Sequence, residues 1–268
     1  SWLPLRVRKN SKAFARSAAT PKPTMKEFDL IARYFDWPAP AGVRACVTTR
    51  AGGVSLPPFD SLNLGDHVED DALAVAANRQ VLVDALGCRP AWLKQVHSPD
   101  VVEADPWQVP TADASWTSAP GTACAVLTAD CLPALFCDRA GTRVAAAHAG
   151  WRGLAGGVLE NTVAALGSEP AELLVWLGPA IGPQSFEVGD EVREAFVAVH
   201  AEAQRAFVPS PNAGKFMADI YQLARIRLAA QGKVVKHGIG APQQHQRCRR
   251  GERRAPAPAG RLPATLWC

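Results

Sequence analysis

Apolar positions change their spacing several times along the chain, and each change marks an element. Residues 43–49 are short and rich in β-branched side chains, as in a strand. Residues 50–65 hold Gly52, Gly53, Pro57, Pro58, Asn63 and Gly65 and read as a long loop, of a kind usually functional or disordered. Over 70–86, Ala74, Ala77, Val81 and Ala85 step by three and four. That spacing predicts an amphipathic helix with Asp70 or Asp71 near its N-cap and Gly87 as its stop.

Four short apolar runs broken by turn residues follow, at 92–96, 124–128, 133–136 and 143–147, and predict strands. A helix is expected over 154–166, then a buried strand over 173–177 that enters a loop at 178–184. Two more helices are expected, over 188–200 and 217–230. In the second, Met217, Ile220, Tyr221, Ala224 and Leu228 share a face and Gly232 ends it. There is no internal repeat and no strict βαβ alternation, so the pattern favours an α+β fold with a mixed sheet. No run of about 18 apolar residues is present, and no membrane span is expected.

The formal charge of +4 is concentrated at two places. Residues 1–24 carry Arg6, Arg8, Lys9, Lys12, Arg16 and Lys22 without an acid, and 247–254 carry five arginines against Glu252. The chain between them is acidic to neutral, so a nucleic-acid-binding face is not expected. Residues 1–24 also lack apolar period, and MKEFDLI from Met25 reads like an ordinary protein start. A disordered basic extension over 1–24 and a single catalytic domain over 25–268 are therefore expected. That domain has an irregular end at 241–268, rich in Pro, Gln and Arg.

The seven cysteines are Cys46, Cys88, Cys124, Cys131, Cys137, Cys248 and Cys268. With no secretory segment and a chain long enough to build its own core, they read as reduced, cytoplasmic thiols, most of them core fillers. Three segments stand apart: LKQVHS at 93–98, LTADCLP at 127–133 and AAAHAGWRG at 145–153. Each sets a soft ligand or nucleophile where a strand is expected to end: His97, Cys131 and His148. Imidazole and thiolate suit zinc, and three protein ligands leave a fourth position for an acidified water. A structural zinc site would want four ligands, usually in close CxxC pairs, and no such pair exists. A lone histidine is more often a scaffold residue, and His67, His200, His237 and His245 are read that way.

The wording around these candidates resembles the YfiH-like, or laccase-domain, family. The resemblance is carried by TTRAGGVS at 48–55, SLNLGDHV at 61–68, the LKQVHS and TADCLP segments, HAGWRGL at 148–154 and LGPAIGPQSFEVGDEV at 177–192. It implies a four-layered α-β-β-α fold with the metal held by His97, Cys131 and His148. It also implies zinc-dependent phosphorolysis of adenosine, inosine, guanosine and methylthioadenosine, with adenosine deamination beside it. The family was first associated with copper-dependent oxidation of phenols, but six histidines are too few to ligate several coppers. The pattern departs from the family near its end, where only Arg249, Arg250, Gly260, Arg261, Ala264, Thr265, Leu266 and Trp267 echo the usual text.

Phosphorolysis needs a phosphate cradle, for which Arg50, Lys94 and Arg152 are candidates, and a ribose clamp, for which Asn63 is one. Deamination needs a proton shuttle, and Asp130 is the candidate. Purine nucleosides and phosphate are the expected partners, and zinc is the expected cofactor, with copper as the other metal. The alternatives are a cysteine hydrolase with Cys131 as nucleophile and His148 as its base, or a metal-binding module without activity.

Overall fold

A computed structural model describes residues 38–232 and, as backbone, the strands Ala32–Tyr34 and Ala264–Trp267. The expected extension at 1–24 and the rest of the 241–268 segment lie outside the described residues. In chain order the elements begin with β1 (Ala32–Tyr34), β2 (Ala45–Thr48), α1 (Ala72–Leu86), β3 (Arg89–Ala91), β4 (Val101–Glu103) and β5 (Ala114–Thr117). Next come β6 (Thr122–Leu127), β7 (Leu132–Asp138), β8 (Val144–Ala149), α2 (Trp151–Gly156), α3 (Val158–Leu166) and β9 (Leu173–Leu177). The last are β10 (Glu187–Gly189), α4 (Asp190–Val197), β11 (Phe207–Pro209), β12 (Lys215–Ala218), α5 (Ile220–Ala229) and β13 (Ala264–Trp267).

The protein is a mixed α+β fold with several sheets. One five-stranded sheet runs β1-β2-β13-β6-β3, antiparallel except where β3 meets β6. A second runs β4-β5-β8-β7-β9, antiparallel except where β4 meets β5. A small antiparallel sheet is ordered β10-β12-β11.

Side-chain alternation explains why β7 and β8 are buried along their whole length. Leu132, Ala134 and Phe136, with Ala145, Ala147 and Ala149, join a cluster with Leu154, Leu159, Leu166, Leu223 and Leu228 from the helices. The opposite parity, Leu135, Cys137, Val144 and Ala146, packs with Cys124 and Val126 of β6 and Trp176 of β9. On the far side of β6, Ala123, Ala125 and Leu127 pack with Leu82 and Leu86 of α1. Buried Arg227 ties α5 to the α2–α3 corner through Glu160 at 2.5 Å and the Ala155 carbonyl at 3.1 Å.

Several elements fall where their period predicts them, and β9 matches the expected 173–177. Helix α1 is capped by Asp71, which accepts from the Ala74 amide at 2.8 Å, and stopped by Gly87 at φ +69°. Its buried stripe is Val75, Asn78, Leu82 and Leu86, one residue on from the alanines that carry the apparent period. The polar Asn78 belongs inside because its amide bonds the 50–65 loop, which no periodicity reveals.

The strand expected at 92–96 forms earlier, as β3, and 92–96 keeps only an isolated bridge from Lys94 to Thr111. Beyond β3 the Gln95 side chain takes over the ladder's role, bonding both the Leu127 amide and carbonyl at 2.8 Å. The helix expected at 154–166 starts at Trp151 and breaks at Gly157, whose φ of +98° an L side chain rarely adopts. The helices expected from 188 and 217 lose their first turns to β10 and β12, which pair with each other across 28 residues of chain. Cys46, Cys124, Cys131 and Cys137 are free. No helix among the described residues is long and apolar enough to cross a membrane.

Asn78 is fully buried and accepts from the Val54 amide at 2.8 Å while donating toward Ser55 Oγ and the Ser61 and Asn63 carbonyls. Asn78→Ala leaves these groups unsatisfied. It should lower the unfolding free energy by about 2–3 kcal/mol and expose the 50–65 loop to proteolysis. Urea denaturation and limited digestion check this, and a loss under about 0.5 kcal/mol would contradict it.

Candidate metal centre

The centre forms where three chain segments meet at one end of the sheets. His148 is the penultimate residue of β8 and shares the parity of Val144 and Ala146, so it stands on the face turned toward β6. Its backbone amide donates to the Asp113 carbonyl at 2.7 Å, extending the β5–β8 ladder by one pair. Cys131 occupies the turn between β6 and β7, immediately before Leu132. His97 lies in the loop beyond β3, with φ at +63°. The expectation that all three stand at strand ends therefore holds for Cys131 and His148, while His97 is set by loop geometry.

The ligand atoms of His97, Cys131 and His148 all lie within 4.8 Å of one another. Cys131 Sγ is 3.7 Å from His97 Nε2, and the two imidazoles meet edge to face with centroids 4.8 Å apart. His148 is buried, Cys131 half-buried and His97 exposed, so the cluster opens to solvent on the His97 side. His148 Nδ1 sits 2.8 Å from Asp113 Oδ1. Asp113 also accepts from the amides of Val96 at 3.0 Å, His97 at 2.9 Å and Ser98 at 2.7 Å.

Burial disfavours a charged His148 ring, but its bond to Asp113 and the adjacent Cys131 outweigh this and raise its pKa to about 9. Burial alone would raise the Asp113 carboxyl. The donors around it instead hold it at about 2. His97 is lowered by burial and by neighbouring His148, with Arg152 adding to the effect and Asp113 opposing it. Burial pushes the thiols of Cys46, Cys124 and Cys137 up to about 12, as befits core fillers.

The donor set fits a metal ion. A carboxylate only accepts, so the proton of the His148 ring stands on Nδ1 and the lone pair on Nε2 is left for a ligand bond. Space is kept by Gly150: a Cβ there would lie 2.6 Å from His97 Cδ2 and 3.0 Å from Cys131 Sγ. No other group of three or more such residues close enough to hold a metal occurs among the described residues. His67 is exposed beside Asp66, His200 precedes a short 3₁₀ turn at Ala201–Ala206 without a side-chain capping bond, and His237 and His245 lie outside the described residues.

The remaining candidates are distributed unevenly. Arg152 is exposed, stacks on Trp151 at 4.5 Å and is close enough to act on His97 electrostatically. Lys94 is exposed three residues before His97. Asp130 is exposed next to Cys131, and its carbonyl accepts from the Ile181 amide at 2.9 Å. That bond lays the 178–184 loop over the Cys131 turn, and Tyr221 pins the loop through the Ala180 amide and Gly178 carbonyl. Arg50 is paired with Asp60 at 2.7 Å. Asn63 is buried, and its amide is committed to Gly65 and Asp70, so it shapes the 50–65 loop from within.

Asp113, Gln95 and Gly150 are site-building residues that sequence reasoning did not single out. An aspartate set between Ala112 and Ala114 was the available signal for the first, masked by the polar Thr111, Ser115 and Thr117 around it.

The fold and the cluster define a mixed α+β protein with a single Cys/His metal-ligand group among its described residues. The chain belongs to the family described as multi-copper polyphenol oxidoreductase laccase, whose model matches residues 44–254. It is 65% identical over 232 residues to a purine nucleoside phosphorylase of Pseudomonas aeruginosa, covering 87% of this chain and 96% of that one. It is 59% identical over 200 residues to the purine nucleoside phosphorylase YfiH of Escherichia coli, covering 73% and 82%. Among solved structures, a Neisseria meningitidis protein matches with a TM-score of 0.79 at 47% identity, over 88% of this chain and 98% of that one. YfiH of Bacillus licheniformis matches with a TM-score of 0.74 at 26% identity, over 84% and 92%.

The raised His148 pKa has a sign that can be checked. In the metal-free protein the charged ring and Asp113 stabilise the fold fully below the ordinary value of 6.5, and that contribution is lost as pH rises through about 9. The denaturation midpoint of metal-free protein should fall across this window, and His148→Gln should flatten the fall. A ligand must be deprotonated, so metal binding near neutral pH should release a proton from His148, seen as buffer-dependent calorimetric heat. Gly150→Ala should fold yet weaken metal binding, because its methyl group enters the donor triangle. Unchanged metal affinity in that variant would show that the triangle is not where metal sits.

Proposed function

We propose that this chain is a zinc-dependent purine nucleoside phosphorylase, acting on adenosine, inosine, guanosine and methylthioadenosine, with adenosine deaminase activity at the same site. The observation that carries the reading is the convergence of His97, Cys131 and His148 within 4.8 Å, open on the His97 side. The names of the relatives at 65% and 59% identity support the substrate class. The four-layered α-β-β-α stacking belongs to the same reading and is supported by the three separate apolar clusters. A cytoplasmic enzyme is the corresponding setting.

Zinc held by these three residues would supply a Lewis acid and an acidified water at its open position. The chain's own groups do the rest. Arg152, placed over the Trp151 ring, presents a guanidinium to phosphate at the mouth of the cluster, with Lys94 as a second cation. Arg50 orders the 50–65 loop through Asp60, and Asn63 holds the same loop from inside, as the wall against which ribose would lie. Asp130, exposed beside Cys131, is the proton carrier for deamination.

A second reading is favoured by one feature. Asp113 orients His148, and Cys131 lies beside both histidines, so the same atoms form a Cys–His–Asp arrangement suited to thiol catalysis with Cys131 as nucleophile.

Protein purified without chelator should carry about one zinc per chain and convert adenosine and phosphate to adenine and ribose 1-phosphate, resolved by chromatography. His97→Ala, Cys131→Ala and His148→Ala should each lose the metal and the turnover, whereas His200→Ala should keep both. Chelation should abolish turnover, zinc should restore it, and bound zinc should shield Cys131 from iodoacetamide. Chelated protein that stays active and is killed by alkylation of Cys131 would replace the zinc reading with the thiol one.

A further inference from the structure

Asp113 is fully buried between Ala112 and Ala114, which are themselves fully buried. A carboxylate in such a place is costly unless donors satisfy it, so its donors tell what it is for. Four N–H groups converge on it, and its two oxygens divide them. Oδ1 receives the His97 amide at 2.9 Å and the His148 ring at 2.8 Å. Oδ2 receives the amides of Val96 at 3.0 Å and Ser98 at 2.7 Å.

The two halves do different things. Through the ring, the carboxylate selects the His148 tautomer and turns Nε2 toward the cluster. Through the backbone, it closes a nest of three successive amides around a residue whose φ of +63° is unusual outside glycine. That conformation sends the His97 side chain to Cys131, at 3.7 Å. We propose that Asp113 is the positioning residue of the metal centre, one carboxylate setting both imidazoles at once, His148 by its ring and His97 by its backbone. This rests on the reading of the cluster as a metal site.

The test is Asp113→Asn, which keeps the shape but turns an NH₂ group toward one pair of donors. Cobalt titration should show affinity weakened on the order of ten- to a hundredfold. The cobalt–thiolate band from Cys131 should persist while the ligand-field bands shift. In the metal-free variant, the amides of Val96, His97 and Ser98 should lose protection against hydrogen exchange. Wild-type protein that binds no cobalt sinks the metal reading itself. Wild-type protein with a thiolate band, beside a variant of unchanged affinity, spectrum and amide protection, overturns the role of Asp113 alone. Should Asp113→Asn not fold, the zinc-loaded wild-type protein decides by nitrogen-15 NMR. His148 should be ligated through Nε2 with Nδ1 protonated, and ligation through Nδ1 overturns the proposal.

Discussion

A buried carboxylate must be surrounded by donors or it will not stay charged, and in this protein that constraint organises the whole His97–Cys131–His148 cluster. Asp113 stands just before β5 and draws in a loop amide run, a side-chain ring and the end of a neighbouring strand. The left-handed conformation at His97 is tolerable because the amides it exposes find the carboxylate. The basicity of His148 and the acidity of Asp113 are two sides of one contact, each raised or lowered by the other.

The sheets supply the rigidity on which this contact depends. β8 reads Val-Ala-Ala-Ala-His-Ala, with small side chains on both faces. Small residues let helices approach one face and β6 the other, leaving His148 as the large side chain at the open end. The Cys131 turn is braced twice, by Gln95 bonding the end of β6 and by the 178–184 loop through Asp130. The segments that carry all three candidate ligands are thus tied to neighbouring elements by hydrogen bonds. Gly150 completes the arrangement by contributing nothing where a side chain would intrude.

The 50–65 loop shows a different economy. It has no strand or helix of its own, yet Leu62, Asn63, Leu64 and Gly65 are buried. Asn78 on α1 acts as its anchor, using a side-chain amide to replace the ladder bonds that a strand would make. Arg50 and Asn63, which look like free binding groups in the linear chain, are engaged within this network.

Much of the architecture is legible from local pattern. The 173–177 strand, the caps of α1, the length of the 50–65 loop and the candidacy of His97, Cys131 and His148 follow from period, capping chemistry and donor type. These are properties of neighbours within a few residues, where geometry is fixed by bond lengths and helical pitch. Pairing between distant segments is what tertiary structure alone decided. It turned the first residues of two expected helices into β10 and β12, moved the buried stripe of α1 by one position to include Asn78, and set β13, from the far end of the chain, between β2 and β6. It also brought Asp113 to His97 and His148 across 16 and 35 residues. An aspartate between two alanines carries no mark of which donors will reach it, because that depends on register between strands that meet only in the folded protein.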